Sequence, residues 1–418
     1  MITNINSIKQ EIQCQVCGKK PLEKVLDLGM QPLCNEFLLP EELNRPQNYF
    51  PLELYYCDID DLIQLGYVVS TEYVFGDQYT YLTGTSRTLV NYYIKWAKKL
   101  VEIFCLKPGD TVIEIGCNDG TFLKAFQALG INTIGIDGAL NAADIAIDEG
   151  INIIPKFYGK NINEKVMKYV PSDSRIRLIC AFNVLAHTDN IGDFLTELGS
   201  LMTKDTVFVS QSHWLCDLIR KNEFDTIYHE HLRYFTLTSL RKIFHQYKLN
   251  LYDAEITEFY GGSILTYASI NKDLKLSSLA NNLLREENQI NVVKSLKEMN
   301  ENLIQKRIQI INFLHELKMD GNKIIGLGAP MKSSTFLNYF GLKTDLIEYL
   351  AEVNPLKIGT VVPGVHINVV DENFLFNNQP DYAMIMSWNM ADDIISKLKA
   401  KGFRGKFILP IPELKVLN

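Results

Sequence analysis

The chain has 418 residues, of which 47% are hydrophobic and 22% charged, and its formal net charge is −7. This length predicts two or three globular domains. The acidic balance argues against a nucleic-acid-binding protein, which would present a basic face, and no apolar run approaches the roughly 20 residues that cross a bilayer. The opening "MITNINSIKQEIQ" lacks a hydrophobic signal core, so we predict a cytoplasmic protein without a membrane partner.

The first part of the chain carries a candidate metal site. Cys14 and Cys17 form a C-x-x-C followed by glycine, which is typical of a zinc knuckle. A second pair is expected, but Asp60 stands three residues after Cys57. Asp60 could supply an oxygen ligand, Cys34 could complete the set, or the segment could bind no metal and rely on packing. A zinc ion at Cys14, Cys17, Cys57 and Asp60 would be structural, because no catalytic pattern lies nearby.

The middle part predicts a nucleoside-binding corner. In "GDTVIEIGCNDGTFLKAF" an apolar strand ends in a glycine turn and enters a helix, giving E-x-G-x-x-x-G rather than the G-x-G-x-x-G of dinucleotide folds. The later strand "INTIGID" ends in Asp137, an acid that can accept both ribose hydroxyls. A glycine turn without a phosphate-binding repeat favours S-adenosylmethionine (SAM) over another nucleotide. The candidate cofactor-binding residues are Glu114, Gly116, Asn118, Gly120, Asp137 and Asn183.

The strands "IRLICAFNVLAHTDN" and "TVFVSQSHW" alternate with helices and so predict a parallel sheet, with its ligand at the carboxyl ends of the strands. A long amphipathic helical connector follows and is expected to pack two domains together. We therefore predict an α/β protein of three domains: a small cysteine-containing, zinc-knuckle-like domain (1–75), a Rossmann-like SAM domain with the connector (76–315), and a C-terminal Rossmann-like α/β domain (316–418).

The last domain predicts a site for an anionic substrate. "NKIIGLGAPMKSSTFLNYF" repeats the strand, glycine turn and helix, but Met331 stands where a dinucleotide fold has its third glycine. Lys332, Ser333 and Ser334 are at the start of the helix, where backbone N–H groups and a cation favour a phosphate. His366, in a loop of the same domain, is a further candidate contact for a nucleotide.

The segment "DTIYHEHLRYF" gathers Tyr228, His229, Glu230 and His231, although the chain has only seven histidines. Either a metal site or a set of proton-transfer groups would explain this. The metal reading is weak, because H-E-x-x-H requires a histidine where Arg233 stands. In an extended strand the two histidines would share one face and Tyr228 and Glu230 the other, unless a turn intervenes.

Together these motifs resemble a known family. The cysteine knuckle with "DLGMQPL", and the segments "EIGCNDG", "FDTIYHEHLRYFTLTSL", "GLGAPMKSST" and "ILPIPEL", look like the SAM-dependent sugar C-methyltransferases that methylate C3 of nucleotide-linked 4-keto deoxysugars. The likeness covers essentially the whole chain. Where family members usually show a second C-x-x-C, this chain has Cys57 and Asp60.

The resemblance implies the catalytic residues. Tyr228, Glu230 and His231 match the family's active-site tyrosine, glutamate and histidine, and His187 matches a further histidine. Another tyrosine comes from "QYTYLTG", as Tyr79 or Tyr81. His231 is expected to remove the proton beside the ketone, the tyrosines to stabilise the enolate, and Glu230 to orient an imidazole or bind a sugar hydroxyl.

Two other functions remain open from the sequence: an O- or N-methyltransferase acting on a nucleotide sugar, and a non-catalytic binding protein. The expected partners are a nucleotide-linked 4-keto deoxysugar and SAM, with no nucleic acid, for a monomer or small homo-oligomer. The resemblance implies that the C-terminal domain (316–418) binds the nucleotide-linked sugar.

Overall fold

A computed structural model describes residues 8–10, 12–75, 79 and 81–418. The beginning of the chain, where we predicted no signal segment, lies partly outside these residues. Within the described ranges, no helix is both long enough and apolar enough to span a membrane.

The N-terminal part is a small antiparallel β structure. Its elements are β1 (Ile8–Gln10), β2 (Glu23–Gln31), β3 (Phe50–Cys57), β4 (Leu62–Leu65), β5 (Tyr67–Val69) and α1 (Thr71–Val74). Strands β2, β3 and β4 pair in sequence. The turn between β3 and β4 holds Asp60, and it brings this residue beside Cys57.

The middle part is built on a seven-stranded sheet in the order β12-β13-β10-β9-β6-β7-β8. Its elements are α2 (Arg87–Ile103), β6 (Asp110–Ile115), α3 (Thr121–Gln127), β7 (Asn132–Asp137), α4 (Leu140–Asp148), β8 (Ile153–Pro155), α5 (Asn163–Tyr169), β9 (Arg175–Phe182), α6 (Ile191–Leu201), β10 (Val207–His213), α7 (Leu215–Arg220), β11 (Arg233–Tyr234), α8 (Leu237–Gln246), β12 (Asn250–Thr257), β13 (Ser263–Ser269) and α9 (Ser278–Glu287). The strands from β10 to β8 are parallel, and every residue of β6 is buried. The strand order reverses between β6 and β9, which is where such sheets bind ligands.

The C-terminal part is a second, mostly parallel sheet in the order β16-β15-β14-β17-β18-β19. Its elements are α10 (Val292–Met319), β14 (Ile324–Leu327), α11 (Met331–Phe340), β15 (Leu350–Glu352), β16 (Val369–Asp371), α12 (Phe374–Asn378), β17 (Tyr382–Ile385), α13 (Ala391–Ala400), β18 (Lys406–Leu409) and β19 (Lys415–Leu417). Only the pairing of β18 with β19 is antiparallel. The predicted three-part α/β fold is thus confirmed.

The parts are not independent bodies. Strand β11, which follows the Tyr-His-Glu-His segment, pairs with β4 of the N-terminal sheet. One hydrophobic core joins Leu26 of β2, Leu303 of α10 and Phe336 of α11. The connector helix α10 therefore packs the first and last parts together, and the predicted boundary after residue 315 lies inside it.

Candidate active site

One cavity of about 1100 Å³ lies between the middle and C-terminal parts. The carboxyl ends of β6, β7, β9 and β10 face it from one side, and the loops after β14 and β15 face it from the other. The Tyr-His-Glu-His segment lies between these two walls. A cofactor and a second ligand can therefore share this space.

A turn, not an extended strand, presents the segment to the cavity. The backbone N–H of His231 donates to the Tyr228 carbonyl at 3.0 Å, which closes the turn before β11. Tyr228, Glu230 and His231 consequently all line the cavity. His229 turns away, packs against the ring of Phe50 and places Nε2 3.3 Å from the Pro51 carbonyl oxygen.

His231 is held as a neutral imidazole. Its Nδ1 lies 2.8 Å from the Thr226 carbonyl oxygen. Because a carbonyl oxygen only accepts, Nδ1 carries the hydrogen and Nε2 keeps its lone pair. Burial lowers the pKa of His231 to about 4. The ring is therefore an unprotonated base at neutral pH.

Two further imidazoles surround His231. The ring centroids of His187 and His213 lie 4.8 and 5.3 Å from that of His231. Burial, followed by the neighbouring imidazoles, lowers the pKa of both well below the usual range. His213 was missed from the sequence, although its place as the last residue of β10 puts it at the carboxyl edge of the sheet.

Glu230 lies in a buried polar cluster drawn from all three parts of the chain. Cys34 donates its thiol hydrogen to Glu230 Oε1 at 3.4 Å, so this cysteine contacts a residue of the cavity wall and is not part of the metal cluster. Burial raises the pKa of Glu230 to about 7, while the thiol and the charge of Lys357 oppose that shift. Lys357, also missed, donates to the Ala329 carbonyl at 2.7 Å. At neutral pH the carboxyl group is near its midpoint of ionisation.

Of the described residues, six tyrosines line the cavity, among them Tyr79, Tyr81, Tyr228 and Tyr260. The ring of Tyr228 lies 4.1 Å from that of His231, and Tyr81 and Tyr260, the last missed from the sequence, bring their hydroxyl oxygens within 3.0 Å of each other. Tyr79 and Tyr81 both line the cavity, but in different surroundings. After burial, the charge that most raises the pKa of Tyr79 is Glu230, whereas for Tyr81 it is Asp119. The Tyr79 ring packs 5.1 Å from that of Phe75, whereas the Tyr81 carbonyl accepts from Asn118 Nδ2 of the glycine turn at 3.0 Å.

The corner after β6 fits the nucleoside half of SAM. Gly116 has φ +70°, and a Cβ there would meet Val184 at 2.4 Å. The backbone N–H of Asn118 donates to Asp137 Oδ2 at 2.7 Å. Glu114 Oε2 and Asn183 Oδ1 are buried without a hydrogen-bond partner among the described residues, so they are available to a ligand.

Five of the six predicted cofactor residues line this corner, and Gly120 does not. Gly120 precedes α3 with φ +73°, and a Cβ there would meet Ile151 at 2.2 Å. This glycine therefore permits close helix packing and a left-handed turn rather than a cofactor contact.

The predicted anion site is only partly formed. Lys332 lines the cavity, with Nζ 3.9 Å from the Trp388 ring centroid and 2.7 Å from Asn389 Oδ1. Ser333 and Ser334 are 1% exposed and lie within α11, where Ser333 donates to the Pro330 carbonyl at 2.6 Å.

His366 is exposed and does not line the cavity, since its Nε2 lies 3.4 Å from Gln47 Oε1 of the N-terminal part. The helix start therefore offers one cation and no serine hydroxyl to an anion.

The N-terminal metal cluster fits a tetrahedral zinc site. The ligand atoms of Cys14, Cys17, Cys57 and Asp60 all lie within 4.8 Å of one another. The sulfurs of Cys17 and Cys57 are 3.7 Å apart, close to the roughly 3.8 Å edge of a tetrahedron with zinc–sulfur bonds of about 2.3 Å. Three thiolates and one carboxylate suit a structural zinc ion. This resolves the sequence alternatives in favour of Asp60 over Cys34.

Comparison with known proteins agrees with this geometry. Family models match residues 14–75 ("Putative zinc binding domain"), 89–254 ("Methyltransferase domain") and 258–412 ("C-methyltransferase C-terminal domain"). The fold and the cofactor corner thus define a SAM-dependent methyltransferase.

The C-methyltransferase NovU of Streptomyces niveus is 30% identical over 412 residues, which cover 97% of each protein. The chain therefore belongs to the C-methyltransferase family, and the resemblance drawn from its motifs is confirmed.

Two of the solved structures that match align with less than half of this chain. A SAM-dependent methyltransferase of Clostridium acetobutylicum is 13% identical with a TM-score of 0.34, over 44% of this chain and 92% of that one. The magnesium protoporphyrin IX methyltransferase of Synechocystis, with bound SAM, is 14% identical with a TM-score of 0.31, over 44% of this chain and 80% of that one.

Proposed function

We propose that this protein transfers a methyl group from SAM to C3 of a nucleotide-diphosphate-linked 4-keto-deoxyhexose, as a step of deoxysugar biosynthesis in the cytoplasm. The observation that carries the proposal is the state of His231. A neutral imidazole in the cavity wall, fixed through Nδ1 so that Nε2 keeps its lone pair, suits the removal of a proton from carbon.

The chemistry follows from the groups around this base. His231 Nε2 takes the proton from C3, and the C–H electron pair becomes the C3–C4 double bond of an enolate whose charge lies on the C4 oxygen. Burial raises the pKa of the Tyr79 and Tyr228 phenols well above their usual range, so both stay protonated and can donate to that oxygen. SAM, when bound, supplies an electrophilic methyl group.

The other groups of the cavity bind and position the cofactor and the substrate. Asp137 and Glu114 would hold the nucleoside and amino-acid portions of SAM at the glycine turn, while Glu230 is available to a sugar hydroxyl. The phenol and imidazole rings limit the water that reaches the reacting carbon.

Deuterium exchange and mass spectrometry test the proposal. The protein is incubated in D₂O with a panel of 4-keto nucleotide sugars, first without SAM and then with it. We expect one deuterium at C3 without SAM and one added methyl group with SAM, located by NMR. Because C3 and C5 both flank the ketone, exchange and methylation at C5 would refute the assigned position. Methylation at oxygen or nitrogen without prior exchange would refute carbon chemistry altogether.

A further inference from the structure

His213 is an imidazole of the cavity wall to which the proposed reaction assigns no chemical step. It is the last residue of β10, and it lines the cavity. Its ring centroid lies 5.3 Å from that of His231 and 6.3 Å from that of Tyr260. A histidine this close to the base can act on the same part of the substrate, so its protonation state decides what it can do there.

Backbone hydrogen bonds tie His213 to the turn that holds the base. His213 pairs with Ser263 of β13. Two residues further on, the N–H of Leu215 donates to the Phe235 carbonyl at 2.9 Å, and Phe235 directly follows β11, the strand that leaves the turn of His231. Both imidazoles are therefore carried by one connected stretch of paired backbone, which gives the rigidity that a preorganised site needs.

His213 is held neutral by its surroundings. Burial lowers its pKa well below the usual range, and the neighbouring His231 and the charge of Lys332 lower that pKa further. Since all three oppose a positive charge on the ring, His213 does not store the proton that His231 removes. It acts instead as a neutral imidazole, with one N–H donor and one acceptor nitrogen.

The two ring nitrogens of His213 differ in their surroundings. Nδ1 is buried and has no hydrogen-bond partner among the described residues. A hydrogen on Nδ1 would be a buried donor without an acceptor, which folded proteins avoid, and an unfilled lone pair is the smaller loss. The hydrogen therefore belongs on Nε2. Because Nδ1 is enclosed, Nε2 is also the nitrogen through which a ligand in the cavity can bond to the ring.

His231 has the opposite tautomer. Its Nδ1 carries the hydrogen toward the Thr226 carbonyl oxygen, 2.8 Å away, and its Nε2 keeps a lone pair. The two adjacent rings thus offer the cavity complementary groups, since His231 accepts a proton and His213 donates a hydrogen bond. Removing a proton beside a ketone needs both, because negative charge grows on the ketone oxygen as the proton leaves the carbon.

We propose that His213 is a further catalytic residue, which donates its Nε2–H to the C4 oxygen of the keto sugar as the enolate forms. This inference rests on the proposed function. His231 takes the proton from C3, and the C–H electron pair becomes the C3–C4 double bond. The electron pair of the former C=O bond moves to the C4 oxygen, which accepts the hydrogen bond from His213 without taking its hydrogen.

This donor acts chiefly in the transition state. A ketone oxygen has two lone pairs, which the phenols of Tyr79 and Tyr228 can fill in the proposed reaction. The enolate oxygen gains a further electron pair and so accepts another hydrogen bond. An interaction that forms only as the charge develops raises the rate and not the affinity. Substrate affinity and exchange rate should therefore respond differently to the loss of His213.

Two variants of the full chain, His213→Gln and His213→Asn, test the donor. The glutamine amide reaches about as far as Nε2, whereas the asparagine amide reaches only about as far as Nδ1. The assay is deuterium uptake without SAM, at saturating concentration, into the 4-keto nucleotide sugar that the wild-type protein exchanges fastest. We expect His213→Asn to slow exchange by about 100-fold, the loss typical of one oxyanion donor, and His213→Gln to stay within about tenfold of wild type.

The dissociation constant of the same sugar, measured by calorimetry, gives the second readout. In His213→Asn it should stay within about threefold of the wild-type value, because the lost bond belongs to the transition state. Equal slowing of exchange in both variants would overturn the inference, since only the glutamine restores a donor near Nε2. A loss of affinity in His213→Asn as large as the loss of rate would overturn it as well.

A measurement on the wild-type protein keeps the test independent of how the variants fold. Nitrogen NMR of the protein labelled in its histidines, with signals assigned through the backbone, reports which ring nitrogen carries the hydrogen. We expect His213 to be neutral with its hydrogen on Nε2 at neutral pH. A hydrogen on Nδ1, or a protonated ring, would overturn the inference.

The results also separate the inference from the proposed function. Exchange at C3 by the wild-type protein and at the same rate by His213→Asn would overturn the inference alone. Exchange at C5 in place of C3 would overturn the assigned position, while the two variants still test the donor, because the C4 oxygen flanks both carbons. Absence of exchange with every 4-keto sugar of the panel would overturn both.

Discussion

Replacing His231 by asparagine separates its chemical role from its structural role. The asparagine amide reaches about as far as Nδ1, so it can still donate to the Thr226 carbonyl, which lies 2.8 Å from Nδ1 in the native protein. The variant lacks any atom at the position of Nε2. We therefore expect the turn to persist and proton removal to fail.

The expected size of the effect follows from the buried, neutral state of the ring. With a pKa of about 4, roughly one His231 side chain in a thousand is protonated at neutral pH, so nearly every molecule holds an active base. Losing a positioned base costs about 100- to 10,000-fold in rate. In the wild-type protein, exchange should persist from about pH 8 down to about pH 5.5 and fall as the pH approaches that low pKa.

The assay is deuterium uptake into the keto sugar without SAM, measured by mass spectrometry for the wild-type protein, His231→Asn and His229→Asn. His229 is a matched control, because it lies in the same turn but faces Phe50 and Pro51. We expect His229→Asn to lower the melting temperature while keeping the exchange rate per folded molecule. An exchange rate in His231→Asn within about tenfold of the wild-type rate would refute the assignment of the base.

Three further outcomes are expected. Because burial raises the pKa of Glu230 from 4.5 to about 7, the stability of its protonated form is present below pH 4.5 and is lost as the pH rises through 7. Glu230→Gln has no such loss, so the free energy of unfolding of the variant, relative to that of wild type, should rise by on the order of 3 kcal/mol between about pH 5 and about pH 8. The melting temperatures of the two proteins report this change, and an equal difference between them at both pH values would contradict it. Asp60→Ala should release zinc to a chelator at least about tenfold faster than wild type, whereas Asp60→Cys should retain one ion per chain by elemental analysis; equal release from both variants would exclude Asp60 as a ligand. Tyr79→Phe should slow deuterium exchange by about a hundredfold, while Tyr81→Phe should chiefly weaken SAM binding; the reverse pattern would exchange their roles.

Local motifs predicted the parts of the site that a single stretch of chain builds. The strand, glycine turn and helix around Gly116 were predicted because the turn requires glycine and the buried strand requires apolar residues in an unbroken run. Asp137 was predicted as an acid for ribose because it ends the next strand of the sequence after the glycine turn. These features depend on residues that are close in sequence, so a single segment is enough to predict them.

Groups that reach the cavity from distant segments could not be predicted. His213, Tyr260 and Lys357 have ordinary local surroundings, and each enters the site because separate elements pack together. Cys34 was weighed only as a metal ligand, because its approach to Glu230 depends on how the N-terminal part packs against the Tyr-His-Glu-His segment.

In helix α11, by contrast, the sequence predicted a ligand contact that the structure does not form. Ser333 and Ser334 follow a glycine turn, as phosphate-binding residues often do, but their positions on the helix face inward. The pattern indicated a helix start correctly, whereas the direction of each side chain depends on which face of the helix packs on the sheet.

The pairing of β11 with β4 has a consequence for the whole enzyme. The strand that leaves His231 is hydrogen-bonded to a strand that begins just after the metal-binding turn, and Leu232 bonds in addition to Leu65 and to Ala186. The turn that contains His231 is thus held between the N-terminal sheet, which carries the candidate zinc ligands, and the edge of the methyltransferase domain. We therefore expect amino-acid changes near the cysteine cluster to shift the position of His231 without altering any residue of the cavity wall.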